Sequence, residues 1–230
     1  MIKKNFIFLF LLSIFSSQIS AKQFQLYKEF YFGISKSKIM KIPNIYDCSV
    51  KFGRGALCLN NQKFLDENIT ISFIFIDNKL ISIILVTEIS TETYLKYMSV
   101  LGSKFILASM QSQNDSIDVL EEMNKTFKKA IKNKIDLNWN NFNKKIHSFQ
   151  QLGLNREDIK YILIDKKSFE NMKNPPINTI NLYNNSNENL RIVEFTIIKG
   201  TDNSTIGLIQ FSIPKMILKK IVKNKKYEDF

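Results

Sequence analysis

Two cysteines, Cys48 and Cys58, and a single imidazole, His147, bound the chemistry that this 230-residue chain can carry. Residues 49–56 between the cysteines read as a short strand, a turn at Gly53-Arg54-Gly55 and the start of a second strand. That path folds the chain back and can bring the sulfurs together, so an oxidising compartment would join them as a disulfide. A metal site is not expected, because two thiols need further ligands and His147 is remote in sequence. There is no Cys-x-x-Cys redox pair, and no cofactor is implied.

Catalysis needs a positioned base, nucleophile or metal. His147 is surrounded by Lys144, Lys145, Ser148 and Phe149, none of which is an acid partner. The acidic groups Asp118, Glu121, Glu122 and Glu157, Asp158 fall at predicted helix starts, where capping and the helix dipole account for them. No nucleophile elbow, phosphate-binding loop or dinucleotide fingerprint is present. A hydrolase built on two sequence-distant carboxylates is the enzymatic alternative; the expectation is a protein that is not an enzyme.

Binding groups are easier to find. The formal charge of +12 comes almost wholly from lysine, with arginine only at Arg54, Arg156 and Arg191. Arginine's planar fork suits phosphates and base edges better than lysine's point charge, so no nucleic acid is expected as partner. An acidic protein surface, an anionic lipid or an acidic glycan fits such a charge. Arg54, between two glycines at the tip of the cysteine loop, is a candidate contact. A second candidate is the lysine stripe Lys125, Lys128, Lys129 and Lys132. Trp139 is read as a core anchor or as an exposed platform.

The N-terminus says where these groups would work. Lys3 and Lys4 precede an apolar run over 6–15, a polar stretch and Ala21, which together read as a signal peptide over 1–21. The run is about half of what a membrane-spanning helix requires. Cleavage after Ala21 leaves 209 residues and a charge of +10, with no lipid-anchor cysteine at the cut. The mature protein is expected in the periplasm or outside the cell.

Several elements must position the candidates. A helix is predicted from Ser35 to Pro43, with the Ser35 hydroxyl capping it. Residues 69–76 alternate as a strand, Asp77-Asn78 form the turn, and 80–87 return. A covering helix follows over 91–105, then a polar linker at 108–114. A long helix over 116–135 carries Ile117, Leu120, Phe127, Ile131 and Ile135 on one stripe and the lysines opposite. Asp118, Glu121 and Glu122 crowd its start. The last third repeats this order. The segment from Gly153 to Ile159 matches that from Gly33 to Ile39 at an offset of 120, which places Phe195 under Phe75. A hairpin over 190–212 turns at 200–203, and Pro214 opens a closing helix to Lys223.

The residues Phe32-Gly33-Ile34-Ser35-Lys36-x-x-Ile39, followed by Cys48, Cys58 and the hairpin at 69–86, resemble the modules of the β-lactamase inhibitory proteins. They are also similar to the small lipoprotein of the outer-membrane assembly machinery. The likeness covers roughly 32–87 and, more faintly, 152–212. Ile34 stands where those families carry methionine, the second copy has Leu154 and Asn155, and the inhibitors lack a lysine-rich helix between copies. The resemblance implies a protein-binding sheet surface and names no contact residue.

The expected architecture is therefore α+β: two similar modules, each a short helix followed by an antiparallel sheet and a covering helix, joined by a long amphipathic helix. The divisions are a signal peptide at 1–21, a first module with the disulfide at 22–107, a linker and basic helix at 108–148, and a second module at 149–230. The expected function is an exported, non-enzymatic protein-binding module of the cell envelope. The alternative is a basic envelope-surface binder of anionic lipid or glycan, acting through the lysines of 125–134 and 215–226.

Overall fold

The computed structural model describes residues 24–133, 140–173, 175–185, 190–200 and 204–217. The signal-peptide segment 1–21, Trp139, Ile135, the turn at 201–203 and the lysines after 217 lie outside the described residues. Within them the chain is α+β, with one large antiparallel sheet and several helices.

A two-stranded hairpin, β1 (Gln25–Tyr27) and β2 (Phe30–Tyr31), leads into a helical turn, α1 (Lys36–Ile39). Then come β3 (Tyr46–Asp47), α2 (Ser49–Phe52), β4 (Leu57–Phe64), β5 (Glu67–Ile76) and β6 (Lys79–Glu88). Helix α3 (Thr91–Lys104) precedes β7 (Phe105–Ser112) and β8 (Ser116–Asp118). After them come α4 (Val119–Asn133), α5 (Asn140–Leu154), β9 (Ile159–Asp165), α6 (Lys166–Glu170), α7 (Thr179–Asn185), β10 (Ile192–Lys199) and β11 (Thr205–Ser212). Nine strands form one sheet in the order β3-β4-β5-β6-β11-β10-β9-β7-β8. Every pairing in it is antiparallel.

The β5–β6 hairpin forms where the sequence places it. Asp77 and Asn78 both take positive φ, 52° and 57°, the backbone that a tight hairpin turn demands and that short polar side chains tolerate. Hairpins β5–β6 and β10–β11 meet at the centre through β6 and β11, with Leu85 opposite Ile209 and Ile83 opposite Phe211.

Register divides each strand between two faces. Ile71, Phe73, Ile83, Leu85, Ile209, Phe211, Phe195, Val193, Tyr161 and Leu163 point to one face, and all are at most 5% exposed. This face is closed by the β1–β2 hairpin, α1, α3 and α5, which contribute Leu26, Tyr27, Phe30, Ile39, Tyr94, Tyr97, Leu101 and Phe149 to the same core. Phe195 sits among three tyrosine rings, at 5.8 Å from Tyr161, 6.0 Å from Tyr97 and 6.3 Å from Tyr94. The Tyr94 and Tyr161 hydroxyls bond each other at 2.9 Å, so two buried polar groups are satisfied together.

Several sequence expectations are corrected. Residues 108–112 are not a linker but belong to β7, which pairs with both β8 and β9. Residues 116–118 are strand, so the long helix begins at Val119. The residues after Cys48 form the helical turn α2 instead of a strand. Helix α1 ends at Ile39, short of Pro43, and Ser35 caps it without a side-chain bond to the backbone; its hydroxyl accepts from Ser37 at 3.2 Å. Gly153 does not open a helix as Gly33 does. It lies in the last turn of α5, which closes with Arg156 N–H on the Gly153 carbonyl and Glu157 N–H on that of Leu152. Arg156 takes φ of 59° there, a left-handed cap. Ile159 begins a strand, so the equivalence of 153–159 with 33–39 fails locally, while Phe75 and Phe195 both lie in strands.

Candidate functional site

The other face of the sheet is covered at its two ends and not between them. At the β4 end, α2 lies over Cys48, Ala56 and Cys58, with Phe52 and Ile74 packed against them. The Cys48 and Cys58 sulfurs stand at 2.11 Å, with Cα atoms 5.8 Å apart, so the expected disulfide is present. Asp47 accepts from the Ser49 N–H at 2.8 Å and Ser49 Oγ from the Gly55 N–H at 2.9 Å. The bonds from Ser49 hold the Asp47 carboxyl below the usual carboxylate range. At the β9 end, α4, α6 and α7 cover Ala108, Ile164 and Ile192 with Leu120, Leu182, Phe169 and Tyr183.

Between these shoulders, cross-strand rows run over β5, β6, β11 and β10. One row is Thr70, Val86, Leu208 and Thr196; the next is Ser72, Ile84, Gln210 and Glu194; a third brings Ile206 beside Ile198. Ser72 is buried, Ile198 is 43% exposed, Ile206 is 37% exposed, and the other members are half-buried. The shoulders reach the ends of the second row, where Cys48 Sγ stands 3.9 Å from Ser72 Oγ and Tyr183 of α7 lies near Glu194; among the described residues, Ile84, Val86, Leu208, Ile198 and Ile206 belong to none of the packed clusters. Sheets that leave one face to water normally turn polar residues outward; here Ile84, Val86, Ile198, Ile206 and Leu208 put apolar side chains on the outward face among Thr70, Thr196, Gln210 and Glu194. The Lys160–Glu194 ion pair borders it on one side. Tyr46 and Thr70, both donating to Asn60 Oδ1 at 2.7 and 2.9 Å, border it on the other.

The residues singled out in the sequence are dispersed around this face. Arg54 is exposed at the turn after α2, on the disulfide-tied shoulder, and Val50 beside it is wholly exposed. Lys125 is not a free cation: it pairs with Glu121 at 2.7 Å and Glu122 at 3.1 Å, and these bonds, Glu121's first, raise its pKa. Lys128, Lys129 and Lys132 are exposed and make no ion pair among the described residues. They lie on α4 at the β8 edge, apart from Arg54 at the β4 end. The stripe assigned to α4 divides: Ile117 and Leu120 are buried, whereas Phe127 is 43% and Ile131 78% exposed.

The acidic groups do structural work. Asp118 Oδ1 accepts from the Glu121 N–H at 3.0 Å, capping α4, and Oδ2 accepts from the Thr179 N–H at 2.6 Å. Asp158 accepts from the Lys199 N–H at 2.7 Å and Gln113 Nε2 at 2.6 Å. His147 is exposed beside Gln151 Nε2 at 3.4 Å. Among the described residues no group of three or more His, Cys, Asp or Glu side chains is placed to hold a metal ion, and no helix is long and apolar enough to cross a membrane.

Sequence reasoning missed which residues form the open face. The signal was present: strands at 69–76 and 80–87 are apolar on both faces, and the helix meant to cover the second face lies instead on the first. Compared with protein-family models, curated proteins and solved structures, the chain matches none of them.

Proposed function

We propose that this chain is an exported, non-enzymatic docking module of the cell envelope whose open sheet face binds a protein partner. The observation that carries this reading is the uncovered apolar face itself, Ile84, Val86, Ile198, Ile206 and Leu208, held between two shoulders. Contiguous exposed apolar surface on an otherwise charged protein marks an interaction site, and flat sheet faces offer side chains in fixed register for recognition. The disulfide supports an oxidising workplace, in keeping with a signal peptide over 1–21. The resemblance to the β-lactamase inhibitory proteins, which implies a protein-binding sheet surface, agrees with this placement.

The same reading takes β4–β5–β6 and β9–β10–β11 as two related three-stranded units joined at the β6 and β11 pair. The strand order supports that view, and the different roles of Gly33 and Gly153 confine any relation to the strands. An acidic partner surface would complement Arg54 on the shoulder. The test places a photoreactive amino acid at Leu208 in the exported protein. The expected result is a crosslink to one envelope protein that survives high salt, as apolar burial does, and is lost with Ile206→Lys. No crosslink above that from exposed Ser37 of α1, or full retention in Ile206→Lys, overturns the reading.

A further inference from the structure

We propose a second binding site, apart from the open sheet face: the groove between β4 and the segment before β3 takes an extended peptide, with one aliphatic side chain on its floor and an acidic one beside Lys38.

The groove forms where β3 and β4 part. Strand β3 pairs only with Leu57 and Cys58, so over Leu59–Phe64 β4 has β5 on one side and, among the described residues, no strand on the other. Two left-handed asparagines shape the walls. Asn44, at φ of 63°, turns the chain two residues before β3, and Asn61, at 56°, sits in the β4 bulge between Leu59 and Gln62. Gln62 Nε2 spans that bulge to the Asn60 carbonyl at 3.1 Å. Bulges at sheet edges re-aim side chains beside functional sites. The space left is about 880 Å³, within the range of ligand pockets.

The lining selects the occupant. On the floor Phe30, Ile39, Leu59 and Ile71 are at most 8% exposed; with half-buried Ile34 and Ile42 they offer a seat for one aliphatic side chain and no trough for an acyl chain. Phe30 is the one aromatic residue lining the groove, and at 6% exposure it gives a sugar ring no platform. The walls hold the exposed residues Asn44 and Asn61, neither side chain bonded to another described residue. A carboxamide donates and accepts at once, which matches the N–H and C=O groups of an extended main chain lying along a sheet edge. Lys28 reaches the Lys63 carbonyl at 3.3 Å. Lys38 is exposed and makes no ion pair among the described residues, so it is the cation left for a carboxylate. Glu29, the one acid of the lining, disfavours an acidic residue at the β1–β2 end.

The full chain, freed of residues 1–21, is titrated by fluorescence anisotropy with four labelled heptapeptides. Each is Gly and Ser throughout except for a central Leu and one Glu placed one or two residues to either side. At least one is expected to bind more tightly than about 1 mM. Replacing its Leu by Ser weakens binding about tenfold or more, and replacing its Glu by Lys about fivefold. Asn44→Gly/Asn61→Gly removes both carboxamides but keeps a left-handed backbone that glycine adopts freely, and loses about tenfold. Lys38→Gln erases the preference for Glu over Lys and keeps that for Leu over Ser; Lys167→Gln, on α6, changes neither. Urea midpoints of the variants matching the parent show that the fold is kept, and the peptide replacements test the parent protein itself. No peptide bound within that limit, equal affinity for the Leu and Ser peptides, or full affinity in the asparagine variant overturns the proposal. Saturable binding of palmitate or chitotetraose with no binding of the peptides overturns it as well.

Discussion

The two faces of the central sheet are made by the same strands and differ in what is spent on them. The closed face carries Phe195, Tyr161, Phe73 and Ile83, sealed by α3, α5 and the β1–β2 hairpin. The open face carries Val86, Leu208, Ile84 and Ile206 between two shoulders. Alternation along a strand sends neighbours in sequence to opposite fates, so Ile209 is buried and Leu208, beside it, is half-exposed. Stability and recognition are thus separated by one residue of register, and a substitution can be aimed at either.

The largest contrast is expected between Phe195→Ala and Leu208→Ala. Emptying the site among Tyr94, Tyr97 and Tyr161 costs about 3–5 kcal/mol, whereas half-buried Leu208, which keeps part of its surface in water and leaves no enclosed cavity, loses about 1–2 kcal/mol. Urea unfolding followed by circular dichroism measures both. Equal costs would mean that the open face is covered in the protein. The Cys48→Ser/Cys58→Ser pair comes next. The bridge spans 10 positions and its loss releases about 3 kcal/mol of loop-closure entropy in the unfolded chain. Because α2 and Arg54 ride on that bridge, the double variant also weakens partner crosslinking at the β4 end more than at the β10 end.

Gly153→Ala acts on the closed face by overpacking. A Cβ there would meet the Tyr161 hydroxyl and stand 2.6 Å from Tyr94; the neighbours are buried rings bonded to each other and cannot swing aside. The expected cost is about 1–3 kcal/mol. Gly33→Ala, where nothing lies within 4 Å of the new Cβ, is strained only through its backbone, at φ of 86°. A larger loss at Gly33 than at Gly153 would show that packing against the tyrosines is loose.

The two glycines also mark how far the sequence could be read. Hairpin β5–β6 was legible because alternation and the Asp77-Asn78 turn are local signals. The disulfide was legible because few thiols and a short loop left one pairing. Strand β7 was not: Ser109, Gln111 and Ser112 give it the composition of a linker, and its strand character comes from pairing with β9, some fifty residues later in sequence. Gly153 matched Gly33 in type and spacing, yet one sits in a helix and the other in a left-handed turn, a difference set by what precedes each, α5 at Gly153 and the β1–β2 hairpin at Gly33. The open face was hidden for a related reason. Both faces of β6 are apolar, and only the docking of α3 decides which is closed.

The smallest effect separates the faces by pH. Tyr27, on the closed side, is 8% exposed, and its hydroxyl has no hydrogen-bond partner among the described residues. Burial first, then the neighbouring Glu29 and Tyr97, push its pKa up to about 12. At neutral pH folded and unfolded chains both hold the proton, so Tyr27→Phe removes only an unpaired group and leaves stability unchanged or raised by up to about 1 kcal/mol. Above about pH 10 the unfolded tyrosine ionises while the folded one stays protonated. Stability therefore falls as pH climbs from about 10 towards 12, and Tyr27→Phe escapes its share, on the order of 1 kcal/mol at about pH 11. Urea unfolding of both proteins at neutral pH and about pH 11 measures the difference. A Tyr27→Phe variant that loses as much stability as the wild type would mean that the β1–β2 hairpin admits water, making the closed face open at that edge.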